Sequence, residues 1–208
     1  MKAKELKNLR KSLVKANRCD ELLRGLDKDT MISLHITDRG ETEAVGYSPI
    51  QSTTLRVISF LSSKMPEKRF EDCLNLFERN MGEMYKSSSW GLNMEEKSAE
   101  MTNDKARFLL VLDDKEKLAG FVHFRFEYDD EETPSCAVMY LYEIQIESMY
   151  RRCGLGKRLM AMAECIARNQ SMTKILLTVF KENHQAMAFY TKALRYEVDE
   201  SSPSKFGD

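Results

Sequence analysis

Glycine and proline are scarce in this chain, with nine and four among 208 residues. That scarcity excludes collagen-like, mucin-like and low-complexity classes, which need those residues in bulk. No apolar run approaches the roughly 18 residues needed to span a bilayer; the longest are stretches such as Phe108–Leu112 and Ala137–Tyr142. The opening Met1-Lys2-Ala3-Lys4 has no apolar signal core and no glycine at position 2, so neither secretion nor myristoylation is expected. Only three histidines occur, widely scattered, which weighs against a histidine-rich zinc centre; no metal is expected. Cys19, Cys73, Cys136, Cys153 and Cys165 are an odd set without metal-ligand spacing, so reduced thiols in cytoplasm or nucleus are the expectation. An excess of one charge is lacking too. With 32 basic and 33 acidic side chains the net charge is −1, against both a generally basic nucleic-acid binder and an acidic disordered chain. What remains, 42% hydrophobic and 31% charged, suits one domain with a sizeable core.

The charge balance conceals a local asymmetry. Lys2, Lys4, Lys7, Arg10, Lys11, Lys15 and Arg18 stand against the single acid Glu5, while Leu6, Leu9, Leu13 and Val14 recur at helical spacing, followed by Leu22 and Leu23. This predicts an amphipathic helix over residues 2–26 with a basic outer face, an arm (1–27) strapped onto a domain at 28–208. Met31–Thr37 and Thr54–Leu61 read as short strands joined by a Gly/Ser/Pro-containing connection. From Pro66, a suitable helix start, Phe70, Cys73, Leu74, Phe77, Met81, Met84 and Tyr85 keep a spacing of three and four. A short helix, Met94–Met101, follows. Ala106–Asp113, Leu118–Tyr128 and Ala137–Glu147 read as successive strands, then helix Arg152–Asn169, strand Lys174–Phe180, helix Asn183–Leu194 and a last strand, Arg195–Val198. Antiparallel strands leading into a βαβ unit predict an α/β (α+β) fold: a mixed, mostly antiparallel sheet with helices on both faces.

The strongest chemical signal is Arg151-Arg152-Cys153-Gly154-Leu155-Gly156-Lys157, placed directly after one strand and opening a helix. Two glycines let a ligand approach the backbone, and the free N–H groups of a first helical turn point at whatever sits there. The positive end of the helix dipole favours an anion, and Arg151, Arg152, Lys157 and Arg158 add charge, so a pyrophosphate fits. The Walker pattern is absent and the glycine spacing is wrong for a dinucleotide fingerprint.

Arg-x-x-Gly-x-Gly at a strand-to-helix crossover resembles the acetyl-CoA pyrophosphate loop of the GNAT superfamily of N-acetyltransferases. The run from Asn183 through Tyr190 to Tyr196 is similar to that family's later helix. Met84-Tyr85, Trp90-Gly91, Phe124–Phe126, Tyr140–Ser148, Leu177–Lys181 and Asp199–Ser204 resemble the NatD-type family of N-terminal acetyltransferases, which acetylates histone tails beginning Ser-Gly-Arg-Gly. The resemblance covers roughly residues 66–204. It implies acetyl-CoA as cosubstrate, bound at Arg151, Arg152, Cys153, Gly154, Leu155, Gly156 and Lys157, at the backbone of Ile144, Gln145 and Ile146, and by Asn183 and Tyr190. Histone tails are the implied partner, in cytoplasm and nucleus, with no direct nucleic acid or membrane and a monomeric enzyme. It also implies a strand after Ser204; only Lys205–Asp208 follow, so that final strand is expected to be missing.

Acetyl transfer to an amine needs a neutral nucleophile and a polarised carbonyl. An α-amino group loses its proton at a pKa about 2.5 units below lysine, about 3.4 kcal/mol easier, so one carboxylate acting directly or through water suffices as base. Glu143 is the candidate, with Tyr142 and Tyr140 beside it. Strict alternation puts the tyrosines on one face and Glu143 on the other, which a β-bulge would reconcile. The resemblance implies Tyr85 and Trp90 as walls of a peptide groove, Glu127 and Asp129 as acids meeting the arginine of the tail, and Tyr140, Tyr142, Thr178 and Ser201 as further substrate contacts. Cys153, among basic neighbours, is oxidisable in principle, but no histidine accompanies it as a nucleophile would require. His123 and His184 read as structural. Rival readings are a lysine or polyamine acetyltransferase, a non-catalytic binder of acetyl-CoA or basic tails, and a nucleic-acid module using residues 1–18.

Overall fold

The computed structural model describes residues 3–24, 26, 31–36, 51–202 and 205. The connection expected between the first two strands, with Thr37, and the Pro203-Ser204 end of the serine-rich loop lie outside the described residues. The elements are α1 (Ala3–Asn17), β1 (Met31–Ile36), β2 (Gln51–Leu61), α2 (Glu67–Ser87), α3 (Met94–Met101), β3 (Arg107–Leu112), β4 (Leu118–Tyr128), β5 (Ala137–Ile146), α4 (Leu155–Asn169), β6 (Lys174–Leu177) and α5 (His184–Ala188). Short 3-10 turns lie at Ser62–Lys64 and Ser148–Tyr150, and a π-helical turn, Phe189–Ala193, follows α5. The six strands form one sheet in chain order. All neighbours are antiparallel except β5 and β6, which run parallel across α4. This is the mixed α/β architecture expected from the pattern. Among the described residues no helix is long and apolar enough to cross a membrane.

Burial on both faces explains why β3 reads as a continuous apolar run: Arg107–Leu112 are all buried. Phe108, Leu110, Leu112 and Phe121 pack with Cys73, Leu76 and Phe77 of α2 and Met101 of α3. Leu109, Val111, Val122, Phe124, Phe126, Met139 and Leu141 face α4 and the N-terminal segment on the other side. Each buried leucine or phenylalanine contributes about 1.5–3 kcal/mol, so two such layers hold the sheet firmly.

Five expectations need correction. The first helix stops at Asn17, not near residue 26. The buried Arg107 guanidinium donates to the carbonyls of Asn17 (2.7 Å) and Cys19 (2.6 Å), satisfying helix-end groups. Leu22 is buried and Leu23 packs on the core from turns, so their periodicity reported burial rather than helix. Helix α4 begins at Leu155 rather than Arg152, because Arg152 (φ +63°) and Gly154 (φ +91°) are left-handed. The helix expected over Asn183–Leu194 divides into α5 and the π turn, where the Leu194 N–H reaches back five residues to Phe189 O at 3.1 Å. Arg195–Val198 is not a strand. Its Tyr196 N–H donates to Tyr190 O (2.9 Å), and it pairs with no strand among the described residues. Strand β6 likewise ends at Leu177, short of Phe180.

Candidate active site

Strand β5 carries the irregularity that alternation required. His123 pairs with Glu143 but Phe124 pairs with Leu141, so Tyr142 is an extra residue bulging from the ladder. The pleat shifts by one, and Tyr140, Tyr142 and Glu143 all come to the α2/α3 face. Gly120 is needed nearby because a Cβ there would lie 2.7 Å from Gln145 O.

Glu143 is 6% exposed. Its Oε1 accepts from Lys97 Nζ (3.0 Å) and its Oε2 from Gln145 Nε2 (2.8 Å). Burial raises its carboxyl above the usual carboxylate range, while the Lys97 ammonium and the Gln145 hydrogen bond pull the other way. Lys97, also buried, has a second acceptor in Glu100 Oε1 (2.8 Å) and lies over the rings of Phe77 and Tyr85. Burial opposes its charge, but Glu143 and Glu100 hold it above the ordinary lysine value. From Gln145 the polar chain continues: Asn80 Nδ2 donates to Gln145 Oε1 (2.9 Å), and Arg151 donates to Asn80 Oδ1.

The expected substrate residues fall into two groups. Tyr140 Oη lies 2.6 Å from Thr178 Oγ1, and its ring is 4.8 Å from that of Tyr142. Tyr142 Oη donates to Glu127 (3.1 Å), and the Arg125 guanidinium stacks on the Tyr142 ring at 4.5 Å. Burial, then the Glu127 charge, raises the Tyr142 hydroxyl pKa, so it remains a donor. Tyr85 and Trp90 share an aromatic cluster with Phe180: Tyr85–Phe180 4.9 Å, Trp90–Phe180 5.4 Å. Trp90 is 67% exposed. Two residues stand apart. Asp129 accepts from the amides of Ser135 and Cys136, both at 2.9 Å, tying its own hairpin end. Burial works against it, but those hydrogen bonds pull its carboxyl down to about 2. Ser201 Oγ donates to Asp199 (2.7 Å), whose partner is Lys174.

The basic loop has an anion site's form. The amides from Arg152 to Lys157 donate to no acceptor among the described residues; the first intrahelical bond is Arg158 N to Gly154 O. Arg151, Arg152, Lys157 and Arg158 are exposed around them. A Cβ on Gly154 would meet nothing within 4 Å, so its φ of +91° is what selects glycine; one on Gly156 would sit 3.2 Å from Phe189. Cys153 turns its thiol onto Tyr150 O (2.8 Å), and Leu155 is buried beneath the loop. The last β5–β6 pair is Leu141–Leu177, so among the described residues the edge of β5 from Tyr142 to Ile146 meets no strand on that side. That edge includes Ile144, Gln145 and Ile146. A diphosphate with a hydrogen-bonding arm fits this combination: free amides and cations at the helix mouth, open backbone groups leading to Glu143. Asn183 caps α5, its side chain accepting from Ala186 N at 3.0 Å. Tyr190 is buried on the π turn, and burial followed by the Glu143 charge raises its hydroxyl pKa. Among the described residues no group of three His, Cys, Asp or Glu side chains forms a metal cluster.

Lys97, Glu100 and Asn80 carry no motif in the sequence; Phe180 lies in the Leu177–Lys181 stretch of the resemblance but has no role assigned there. A lysine between Met94 and Met101 on one side of α3 is the signal from which a buried partner could have been inferred.

A curled mixed sheet parted beside a cationic helix mouth defines the fold class of thioester-dependent acyltransferases. The acetyltransferase (GNAT) family matches residues 70–196, more than half the chain, and the protein belongs to it. Members of that family take their acetyl group from acetyl-CoA. The chain is 27% identical over 175 residues to N-alpha-acetyltransferase 40 of Saccharomyces cerevisiae, a match covering 73% of this chain but 60% of that protein. Solved structures share the fold. The aminoglycoside N-acetyltransferase AAC(6')-Iy in complex with CoA has TM-score 0.54 at 16% identity, covering 73% of this chain and 93% of that one. An aminoglycoside acetyltransferase from an uncultured soil metagenomic sample has TM-score 0.52 at 16% identity, covering 71% and 91%.

Proposed function

We propose that the protein is an acetyl-CoA-dependent N-terminal α-amino acetyltransferase acting on histone tails that begin Ser-Gly-Arg-Gly, as a monomer in cytoplasm and nucleus. One observation carries the reading: the bulge at Tyr142 gathers two tyrosines and a buried glutamate on one face, with Glu127 alongside, at the strand opening beside the basic loop. In this reading the loop amides hold the diphosphate and the open edge of β5 aligns the thioester. Glu143 removes a proton from the α-ammonium, directly or through one water. The amine attacks the thioester carbon, the C–S bond breaks, and the thiolate takes a proton, for which Tyr190 is the hydroxyl candidate. The Glu127 carboxylate, already held by Tyr142 Oη (3.1 Å) with Arg125 3.7 Å away, is the acid that suits an arginine in the tail. The relative named N-alpha-acetyltransferase 40 supports an α-amino acceptor.

Mass spectrometry tests this with Ser-Gly-Arg-Gly peptides bearing free or blocked α-amines. One acetyl group should appear on the free terminal nitrogen, none on the blocked peptide, with the Glu143→Gln rate reduced about 10²-fold or more. Acetylation of a lysine or of an aminoglycoside or polyamine instead would reassign the acceptor. Coenzyme A binding without any transfer would make the chain a binding module.

A further inference from the structure

We propose that Lys97 is a positioning residue for the reaction: its ammonium keeps the buried Glu143 carboxylate ionised and aimed, while Glu100 remains as its second partner when Glu143 takes a proton. The inference rests on Glu143 as the base.

Geometry separates this arrangement from an ordinary ion pair. A buried pair normally strands one charge when the other is neutralised, which is strongly unfavourable. Here Lys97 Nζ lies 3.0 Å from Glu143 and 2.8 Å from Glu100. Proton uptake by Glu143 therefore leaves a Lys97–Glu100 pair intact, and the carboxylate can cycle between its two states. Each Glu143 oxygen accepts one hydrogen bond and keeps a second lone pair for a substrate proton or water. Glu100 is partly exposed, which gives the cluster a polar route toward solvent. The groups facing Glu143 come from every packed element. Lys97 and Glu100 lie on α3, Tyr85 on α2, His123 on β4, Tyr142 and Gln145 on its own strand, and Tyr190 on the π turn. Of the titratable ones, the tyrosine pKa values are raised and that of His123 is lowered, so all four stay neutral near pH 7. Lys97 is then the nearest fixed positive charge, and removing it must move the Glu143 titration upward.

The test uses the full chain with ¹³C-labelled glutamate, reading the Glu143 carboxyl by NMR (identified by its loss in Glu143→Gln) and kcat/KM against pH on the Ser-Gly-Arg-Gly peptide. In Lys97→Met the Glu143 titration and the acid limb of kcat/KM should both rise by at least about one unit. Activity at pH 7 should fall about 10-fold or more, and KM for acetyl-CoA should stay within about twofold. Lys97→Arg should restore the parental limb. If Lys97→Met does not fold, Glu100→Gln gives the opposite sign, since losing a negative neighbour lowers the Glu143 titration. A folded Lys97→Met with the parental Glu143 titration, or an upward or absent shift in Glu100→Gln, overturns the inference. Full activity in Glu143→Gln overturns instead the base assignment, and the role of Lys97 falls with it. Because the NMR titration needs no turnover, failure of the peptide as substrate is told apart from failure of Lys97.

Discussion

His123 lies flat between Phe108, 4.8 Å away and nearly parallel, and the bulged Tyr142 at 5.0 Å. It is fully buried, and neither ring nitrogen has a hydrogen-bond partner among the described residues; Glu100 Oε1, at 3.8 Å from Nδ1, is too far. Burial, reinforced by the Arg125 and Lys97 charges, places its pKa well below 6.5. The folded ring therefore stays neutral while the unfolded chain takes up a proton below pH 6.5. Its contribution to stability is complete above that pH and declines by up to about 1.4 kcal/mol per unit as the pH falls toward the folded value. Glu143 has the opposite sign, since its raised folded pKa makes it bind a proton before the unfolded chain does. Comparing His123→Phe with the parent cancels that term. Between pH 7.5 and 5.5 the melting temperature of the variant relative to the parent should rise by about 3–5 °C per unit below 6.5. A constant difference would show that folding leaves the His123 titration unchanged. As a sequence position, His123 was read as structural, and its stacked, unpaired setting agrees with that.

Helix α3 shows how a short element can govern the site. Eight residues make a helix that water alone would not sustain. Asn93 Oδ1 accepts from the amides of Glu95 (3.1 Å) and Glu96 (3.2 Å) at one end. At the other, Ser62 Oγ donates to Met101 O (3.0 Å) and Arg125 to Glu100 O. Lys97 is thereby delivered to Glu143 from a helix held at both ends. Asn93→Ala should cost about 1 kcal/mol. Hydrogen exchange at the α3 amides should rise, and kcat should fall severalfold with KM for acetyl-CoA within about twofold. Unchanged exchange would show that the C-terminal contacts alone hold α3. Its span, Met94–Met101, was readable from spacing; its office was not, because the partner of Lys97 lies 46 residues away.

At the scale of the molecule, the sheet is covered on both faces, and the open edge of β5 joins the helix mouth to the buried carboxylate. Coenzyme A should bind the folded chain only. At 100 times its Kd it should stabilise the fold by about 2.7 kcal/mol, raising Tm by about 5–10 °C. Arg151→Ala should weaken that shift, because Arg151 also holds Asn80 and Ile146 O (2.9 Å) and so ties the loop to the strand. Added salt should weaken it as well, since the loop cations are exposed. An undiminished shift in Arg151→Ala would place the diphosphate elsewhere. The exposed bases of α1, from Lys4 to Lys15, face away from the core onto which Leu9 and Leu13 pack, as the amphipathic pattern required.

Most of the architecture was legible because it rests on local periodicity. Alternation and spacing placed β4 at Leu118–Tyr128, α3 at Met94–Met101 and the basic glycine-containing loop at Arg151–Lys157, each within a few residues of its own determinants. Even the bulge could be inferred, since Tyr142 and Glu143 could share a task only if the pleat slipped between them. Long-range packing decided the rest. Arg107 ended α1 through carbonyls some 90 positions earlier, the π turn re-aimed Phe189 and Tyr190, and Arg195–Val198 found no strand to pair with among the described residues. It was packing, too, that placed Lys97, Glu100, Asn80 and Gln145 around one carboxylate. A hydrogen-bond network among side chains of different elements leaves no period in the chain, because its spacing exists only in three dimensions.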